Sequence, residues 1–434
     1  MFRRLESGLP KDPVFPTSLA GLGYFVNDKD EIRSIENPKA YFKFFLTRND
    51  RHNCVQREAM NGAIRELVAQ CLEDLGLEKV RLPLGTEESE PHVPIFVSSN
   101  IRDKKRVVIL FYEHTQDLGI FAHRIIGGKG GIEQGSAISF VKYIQSKITA
   151  PGNVEAPGII LANMGQLRWW RKGKKAVTQT TWYALPQKSS VENPIRFDAI
   201  KNTVPGNRNT EEHVNYIFNH VVEKLVDPIA KLDVVGVSDG AIQVTVFLEK
   251  HENFKKWENR VAAFASVATW YHSHEIKNVD FADWFMDRGR VYILSSEPAG
   301  TFLADHKGAK YVPAYGCPVF SLGEPYYAES MLPKGYRTII DWFQEVNLDP
   351  DYANPTFQRI DFEEEDEEEK PMEGGVELNR IEEVVDDETE VADETLKVEE
   401  PNAEEIKIEK AKVEVTKMDA GTGKENKKPG EEVS

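Results

Sequence analysis

The chain has 434 residues and a formal net charge of −17, but residues 361–434 hold 28 acidic and 10 basic side chains, which leaves residues 1–360 at +1. The low isoelectric point therefore belongs to the C-terminal segment and does not exclude nucleic-acid binding by the rest. Three scattered cysteines, Cys54, Cys71 and Cys317, exclude a disulfide framework and a Cys-based zinc site, and no apolar run approaches the roughly 20 residues of a membrane span. A soluble protein of the nucleus or cytosol is expected, with one large domain plus extensions and with neither metal nor cofactor.

Residues 1–90 read as an N-terminal extension. Tyr24-Phe25-Val26, the polar stretch 27–30 and Ile32 predict a small hairpin. The aromatic stretch 40–46 and a helix over 51–75 follow. That helix carries Val55, Met60, Ile64, Leu67, Val68, Cys71 and Leu72 on one stripe. Such a stripe requires a partner surface, so the extension is expected to dock on the body. From Pro91 to about residue 350 the rhythm changes to βα units. Strands are predicted at 93–98, 106–111, 158–163, 232–235, 261–268, 290–295 and 318–322, and helices from Ser136, over 211–226, after Gly240 and over 336–346. Repeated βα units imply a mostly parallel sheet flanked by helices on both faces. Segment 166–208 reads as a long irregular connection, too aromatic for disorder. Residues 361–434 lack the apolar content to offset chain entropy and read as a disordered acidic tail.

The most informative stretch is 232–243, LDVVGVSDGAIQ. Strand, Gly-x-Ser-x-Gly and helix follow one another, the nucleophile-elbow layout of α/β-hydrolases. Gly236 and Gly240 are needed because a Cβ at either position would clash in so tight a turn. An active enzyme requires a base that titrates near neutrality. Ser238 is the nucleophile position, Glu297 a reasonable acid, and the Asp239 amide half of an oxyanion hole. After the last strand, however, the chain reads Gly323-Glu324-Pro325-Tyr326-Tyr327-Ala328-Glu329, without histidine. An active site would need His272, or else His274, His306 or His114, the last in the oxyanion-loop region.

Two other motifs stand out. The cluster Gly127-Gly128-Lys129-Gly130-Gly131 lacks the Gly-Lys-Ser/Thr of a phosphate loop and reads as a turn. The strip Arg168, Trp169, Trp170, Arg171, Lys172, Gly173, Lys174, Lys175 places two aromatics among five cations. It fits single-stranded RNA, partner binding or docking of the acidic tail. It equally fits two tryptophans anchoring a loop whose cations stay solvated.

GVSDGA at 236–241, GSAISFV at 135–141, ILANMGQLRWW at 160–170, SSEPAGT at 295–301 and SLGE at 321–324, in that order, resemble the Argonaute-binding protein family. That family includes the second subunit of an Argonaute–siRNA chaperone complex, animal cotranscriptional regulators, and a domain of fungal class II histone deacetylases. The resemblance spans about residues 15–346. It implies an α/β-hydrolase-like fold used for binding in small-RNA silencing and heterochromatin, in the nucleus with the cytoplasm as a second location. Animal members keep a histidine after the last strand, where this chain has Tyr326-Tyr327-Ala328-Glu329. The resulting expectation is a non-catalytic binding subunit whose partners are Argonaute or chromatin-silencing proteins, with small RNA as a further partner and no membrane. A serine esterase through Ser238 and an RNA binder through residues 168–175 are the rival readings.

Overall fold

A computed structural model of the chain describes residues 8–147, 155–303 and 314–355. The acidic segment and His306 lie outside the described residues. A hairpin of β1 (Tyr24–Val26) and β2 (Ile32–Ser34) precedes helix α1 (Asp50–Asp74), capped by the Asn49 side chain, which accepts from the His52 amide. The main sheet begins with β3 (Leu77–Leu82), β4 (Val93–Ser98) and β5 (Arg106–Phe111). It continues, after α2 (Ala137–Gln145), with β6 (Gly158–Ala162). A separate hairpin of β7 (Arg168–Trp170) and β8 (Lys175–Val177) follows. Next comes α3 (Thr210–Tyr216), which runs on through a π-helical stretch, Ile217–Val222. The second half of the sheet is β9 (Lys231–Val237), β10 (Val261–Val267), β11 (Gly289–Ile293) and β12 (Val319–Ser321). Its helices are α4 (Asp239–Glu249), α5 (His251–Trp257), α6 (Val279–Arg288) and α7 (Ala328–Leu348).

The strand order is β12-β11-β10-β9-β5-β6-β4-β3. β4 runs antiparallel to both β3 and β6, and the other neighbours are parallel. Side chains alternate between two cores, as the period of a strand demands. Val108 and Leu110 of β5 face Met60, Ile64, Val68 and Leu72 of α1, Phe140 and Ile144 of α2, and Ile339 and Trp342 of α7. Val107, Ile109 and Phe111 face Phe218, Phe247, Trp257 and Phe285. Both β5 and β10 are buried along their whole length, the reason they read as unbroken apolar runs. The apolar stripe of α1 is thus part of the first core.

The structure departs from the sequence reading at three elements. Segment 166–208 is not irregular throughout: it holds the β7–β8 hairpin and a helical turn, Gln179–Ala184. Strand β3 has no counterpart among the predicted strands. The final helix starts at Ala328, eight residues before the predicted start, and runs through Pro333. Pro333 has no N–H to donate to Glu329 one turn back. The Tyr112 hydroxyl, which donates to the Phe121 carbonyl (3.0 Å), shares its hydrogen with the Glu329 carbonyl (3.3 Å), and Gly335 lets the helix lie against Leu322, which a Cβ would meet at 2.4 Å.

Helix α4 packs on the sheet more closely than any side chain would allow. A Cβ on Gly240 would lie 2.0 Å from the Phe111 carbonyl oxygen of β5, and one on Gly236 would lie 2.5 Å from the Ala241 Cα. Backbone cannot move aside as a flexible side chain can. Gly240→Ala is therefore expected to destabilise the protein by about 3 kcal/mol. Gly62→Ala in α1, where the added Cβ would find only the tip of Arg65 at 3.5 Å, is expected to be neutral or to stabilise by up to about 1 kcal/mol. Urea unfolding of both variants checks the contrast.

Candidate functional site

The sheet reverses its winding direction at β5, which has β6 on one side and β9 on the other. A crevice opens at the carboxyl ends of strands at such a switch point. The elbow lies there. Ser238 has φ 53° and ψ −117°, a left-handed conformation that a residue with a Cβ adopts only under constraint. The constraint is local: the Ser238 amide donates to the Val267 carbonyl of β10 (2.9 Å), and the Ser238 carbonyl accepts from Ile242 in the first turn of α4 (3.1 Å). The side chain is half-buried. Among the described residues its hydroxyl has no hydrogen-bond partner, and no imidazole bonds to it.

The imidazole tied to the elbow is His114, in the loop after β5, and it is tied to Asp239. His114 Nδ1 bonds the Asp239 carboxylate, across a pair that is partly exposed on both sides. The bond raises the His114 pKa and is the largest cause lowering that of Asp239. The backbone amides of His114 and of Asp239 itself lower its pKa further. In a hydrolase, the N–H after the nucleophile and an N–H from the loop after this strand are the donors that receive the oxyanion. Here the two residues that carry them are tied to each other through the Asp239 carboxylate.

The other candidate residues are distributed around the same edge of the sheet without meeting Ser238. Glu297 lies in the loop after β11 with its carboxylate exposed. Its backbone is fixed by the Ser295 hydroxyl, which accepts from the Glu297 amide (3.1 Å), and by the Ser321 hydroxyl, which donates to the Glu297 carbonyl (2.6 Å). His272 and His274 stack on each other at 5.8 Å, with Tyr315 5.6 Å from His272. The turn after β12 is closed by Glu324, a carboxylate only 2% exposed. It accepts from the Tyr326 and Tyr327 amides (2.8 and 3.0 Å) and pairs with Lys334 (2.5 Å). Burial pushes its pKa up, and Lys334 with the two amides outweighs burial and holds it low. Tyr327 lies under the Arg124 guanidinium at 4.1 Å, and Arg124 also pairs with Glu329 (3.4 Å).

The basic strip divides by burial. Trp169 is 3% exposed and packs with Val93, Leu167, Ala176 and Val204. Arg168 lies 4.6 Å from the Phe197 ring. Trp170 is half-exposed, and Arg171, Lys172, Lys174 and Lys175 are exposed at the hairpin turn. That turn needs Gly173, whose Cβ would strike the Trp170 ring at 2.0 Å, and it places Lys174 at φ 49°.

Sequence reasoning missed a buried network beside the elbow loop. Asp117, 6% exposed, pairs with Arg65 of α1 (2.9 Å), approaches His123 Nε2 (3.4 Å) and accepts from Gln166 (3.1 Å). Arg65 also pairs with Glu58 (2.6 Å). Three chain segments far apart in sequence meet here, and no local pattern announces it. Among the described residues no cluster of three or more His, Cys, Asp or Glu could hold a metal ion, and no helix is long and apolar enough to cross a membrane.

An eight-stranded sheet with one antiparallel strand, and a serine on the sharp turn after a central parallel strand, defines an α/β-hydrolase-fold protein. The chain belongs to the Arb2 domain family, which matches residues 15–299. It is 25% identical over 307 residues to the Cotranscriptional regulator ARB2A of Homo sapiens, covering 66% of this chain and 72% of that one. It is 26% identical over 319 residues to the Cotranscriptional regulator ARB2A homolog of Xenopus tropicalis, covering 66% and 71%. Among solved structures it is similar to an alpha-beta hydrolase from Vibrio vulnificus, at 12% identity and a TM-score of 0.33 over 70% of this chain and 95% of that one. Naproxen esterase from Bacillus subtilis is similar at 10% identity and a TM-score of 0.31, over 66% and 97%. The fold is read from the strand order rather than from these two.

The strained serine yields a stability prediction. Glycine at position 238 meets no Cβ penalty at positive φ, but gives the unfolded chain more freedom. The two effects, roughly 1–3 and 0.4–1 kcal/mol, leave Ser238→Gly more stable by about 1 kcal/mol. Thermal unfolding checks the sign, and Ser238→Ala, which keeps the Cβ, is expected to show no such gain.

Proposed function

We propose that this chain is a non-catalytic hydrolase-fold binding subunit that acts in the nucleus, in cotranscriptional regulation or small-RNA silencing, by associating with an Argonaute or a histone-modifying complex. One observation carries the non-catalytic part: His114 and Asp239, whose N–H groups would receive an oxyanion, are tied to each other through the Asp239 carboxylate, and His114 is not bonded to Ser238. A donor at such a site is worth about 3–4 kcal/mol of transition-state stabilisation. A fixed negative charge on Asp239 opposes the charge that acyl transfer develops. The turn closed by Glu324, where a base would stand, adds to this. Regulation is supported by the names of the ARB2A relatives, and the Argonaute partner by the motif resemblance. The protein, purified from its own cells with an affinity tag, is expected to bring down Argonaute or chromatin-silencing subunits, equally with Ser238→Ala. It is expected to show no Ser238-dependent labelling by a fluorophosphonate. Labelling that disappears in Ser238→Ala makes it a serine esterase, and a partner set without silencing or chromatin proteins removes the regulatory reading.

A second reading, direct binding of single-stranded RNA, is favoured by the hairpin turn. Arg171, Lys172, Lys174 and Lys175 have no acidic partner among the described residues, and Lys175 Nζ lies 5.6 Å from the half-exposed Trp170 ring. Base stacking on such a ring is worth about 1–3 kcal/mol, and the cations make affinity fall with salt. The buried Trp169 and the Phe197-stacked Arg168 contribute by holding the turn. Fluorescence anisotropy with a labelled RNA is expected to show at least about tenfold weaker binding for Trp170→Ala with Arg171→Ala. Equal affinity of the double variant ends this reading.

A further inference from the structure

Between α1 and the short helix His123–Ile126 lies a partly enclosed cavity of about 190 Å³. Ile32, Phe42, Met60 and Ile64 form its apolar wall, and Arg57, Asn61, His123 and Arg124 its polar side. Three of the four polar residues have unused bonding capacity. Among the described residues Arg57 has no carboxylate partner; its one contact is the face of Phe44 at 4.9 Å. The Asn61 side-chain amide makes no hydrogen bond among the described residues. His123 Nδ1 is buried without a partner, while its Nε2 faces Asp117. Buried or half-buried polar groups ordinarily find partners, and leaving one unmade costs about 1–3 kcal/mol. One buried unpartnered nitrogen, His123 Nδ1, and two half-buried groups around one void, with no acidic side chain in the lining, describe a site whose partner lies outside the described residues.

We infer that this cavity binds a small organic acid, its carboxylate against Arg57 and Asn61 and its apolar body against Ile32, Phe42, Met60 and Ile64. The size fits: an engineered apolar cavity of about 150 Å³ takes benzene. The charge fits a monoanion. Arg57 is the single uncommitted cation, since Arg124 is held by Glu329 and Tyr327. A dianionic phosphate ester would leave one charge unmatched. The planar fork of Arg57 suits a carboxylate, and His123 Nδ1 lies within the same lining for a second polar group of the ligand. The site is separate from the elbow and stands whether or not Ser238 reacts.

The test is calorimetric titration of the full chain with benzoate and butyrate, against benzyl alcohol and phenyl phosphate. Saturable binding of one of the two acids below about 10 mM is expected, with benzyl alcohol and phenyl phosphate at least about tenfold weaker. Arg57→Gln is expected to weaken the acid at least about tenfold, and Ile64→Phe, which fills the void, to abolish binding. Both variants are checked by melting temperature. Should Ile64→Phe fail to fold, Asn61→Leu on the half-buried rim replaces it, with a loss of about fivefold expected. The inference is overturned if neither acid saturates, if Arg57→Gln binds as the unaltered chain does, or if phenyl phosphate binds as tightly as the acids.

Discussion

The close approach of α4 to the central strands is the constraint from which the rest of the elbow follows. Gly240 rests on the Phe111 carbonyl of β5 and Gly236 on the backbone of Ala241, so the chain must reverse between them within one residue. Ser238 takes that reversal at positive φ, held by hydrogen bonds to β10 and to the first turn of α4. The strain is local, and the two cores that pack against β5 and β9 hold it in place. A backbone so determined presents its serine at the carboxyl edge of the sheet whatever the loops around it contain.

Those loops decide the chemistry, and they carry charge where a hydrolase carries polarity of another kind. Asp239 begins α4, a favourable place for a carboxylate because the helix N-terminus is positive. His114 adds a second hold, and the nearby N–H groups a third. Across the crevice, Glu324 is buried on two amides and Lys334, which fixes the start of α7 and leaves Tyr326 and Tyr327 at the surface. Each carboxylate is stabilised by its own surroundings and serves the scaffold.

The N-terminal segment is joined to this edge by a network rather than by apolar contact alone. Arg65 of α1 reaches Asp117 in the loop that also carries His114. His123 and Gln166 complete the set around that carboxylate. The elbow loop, α1 and the cavity beneath it therefore share polar contacts.

The sequence by itself determined the strand–turn–helix at 232–249, the strands at 93–98 and 106–111, the stripe of α1 and the need for two glycines. All of these are local, because periodicity and Cβ clashes act over a few residues. The β7–β8 hairpin escaped because its turn depends on Gly173 lying flat on Trp170, and the start of α7 escaped because Pro333 and Gly335 read as breakers. Only the shared hydroxyl of Tyr112, from a distant strand, supplies the donor that Pro333 lacks. The site followed the same rule. Ser238 was legible in its motif, whereas the pairing of His114 with Asp239 and the gathering of Arg57, Asn61 and His123 around the α1 cavity arise between segments tens to hundreds of residues apart. Tertiary packing alone decided them, since a side chain's partner is set by where the chain returns and not by what stands next to it.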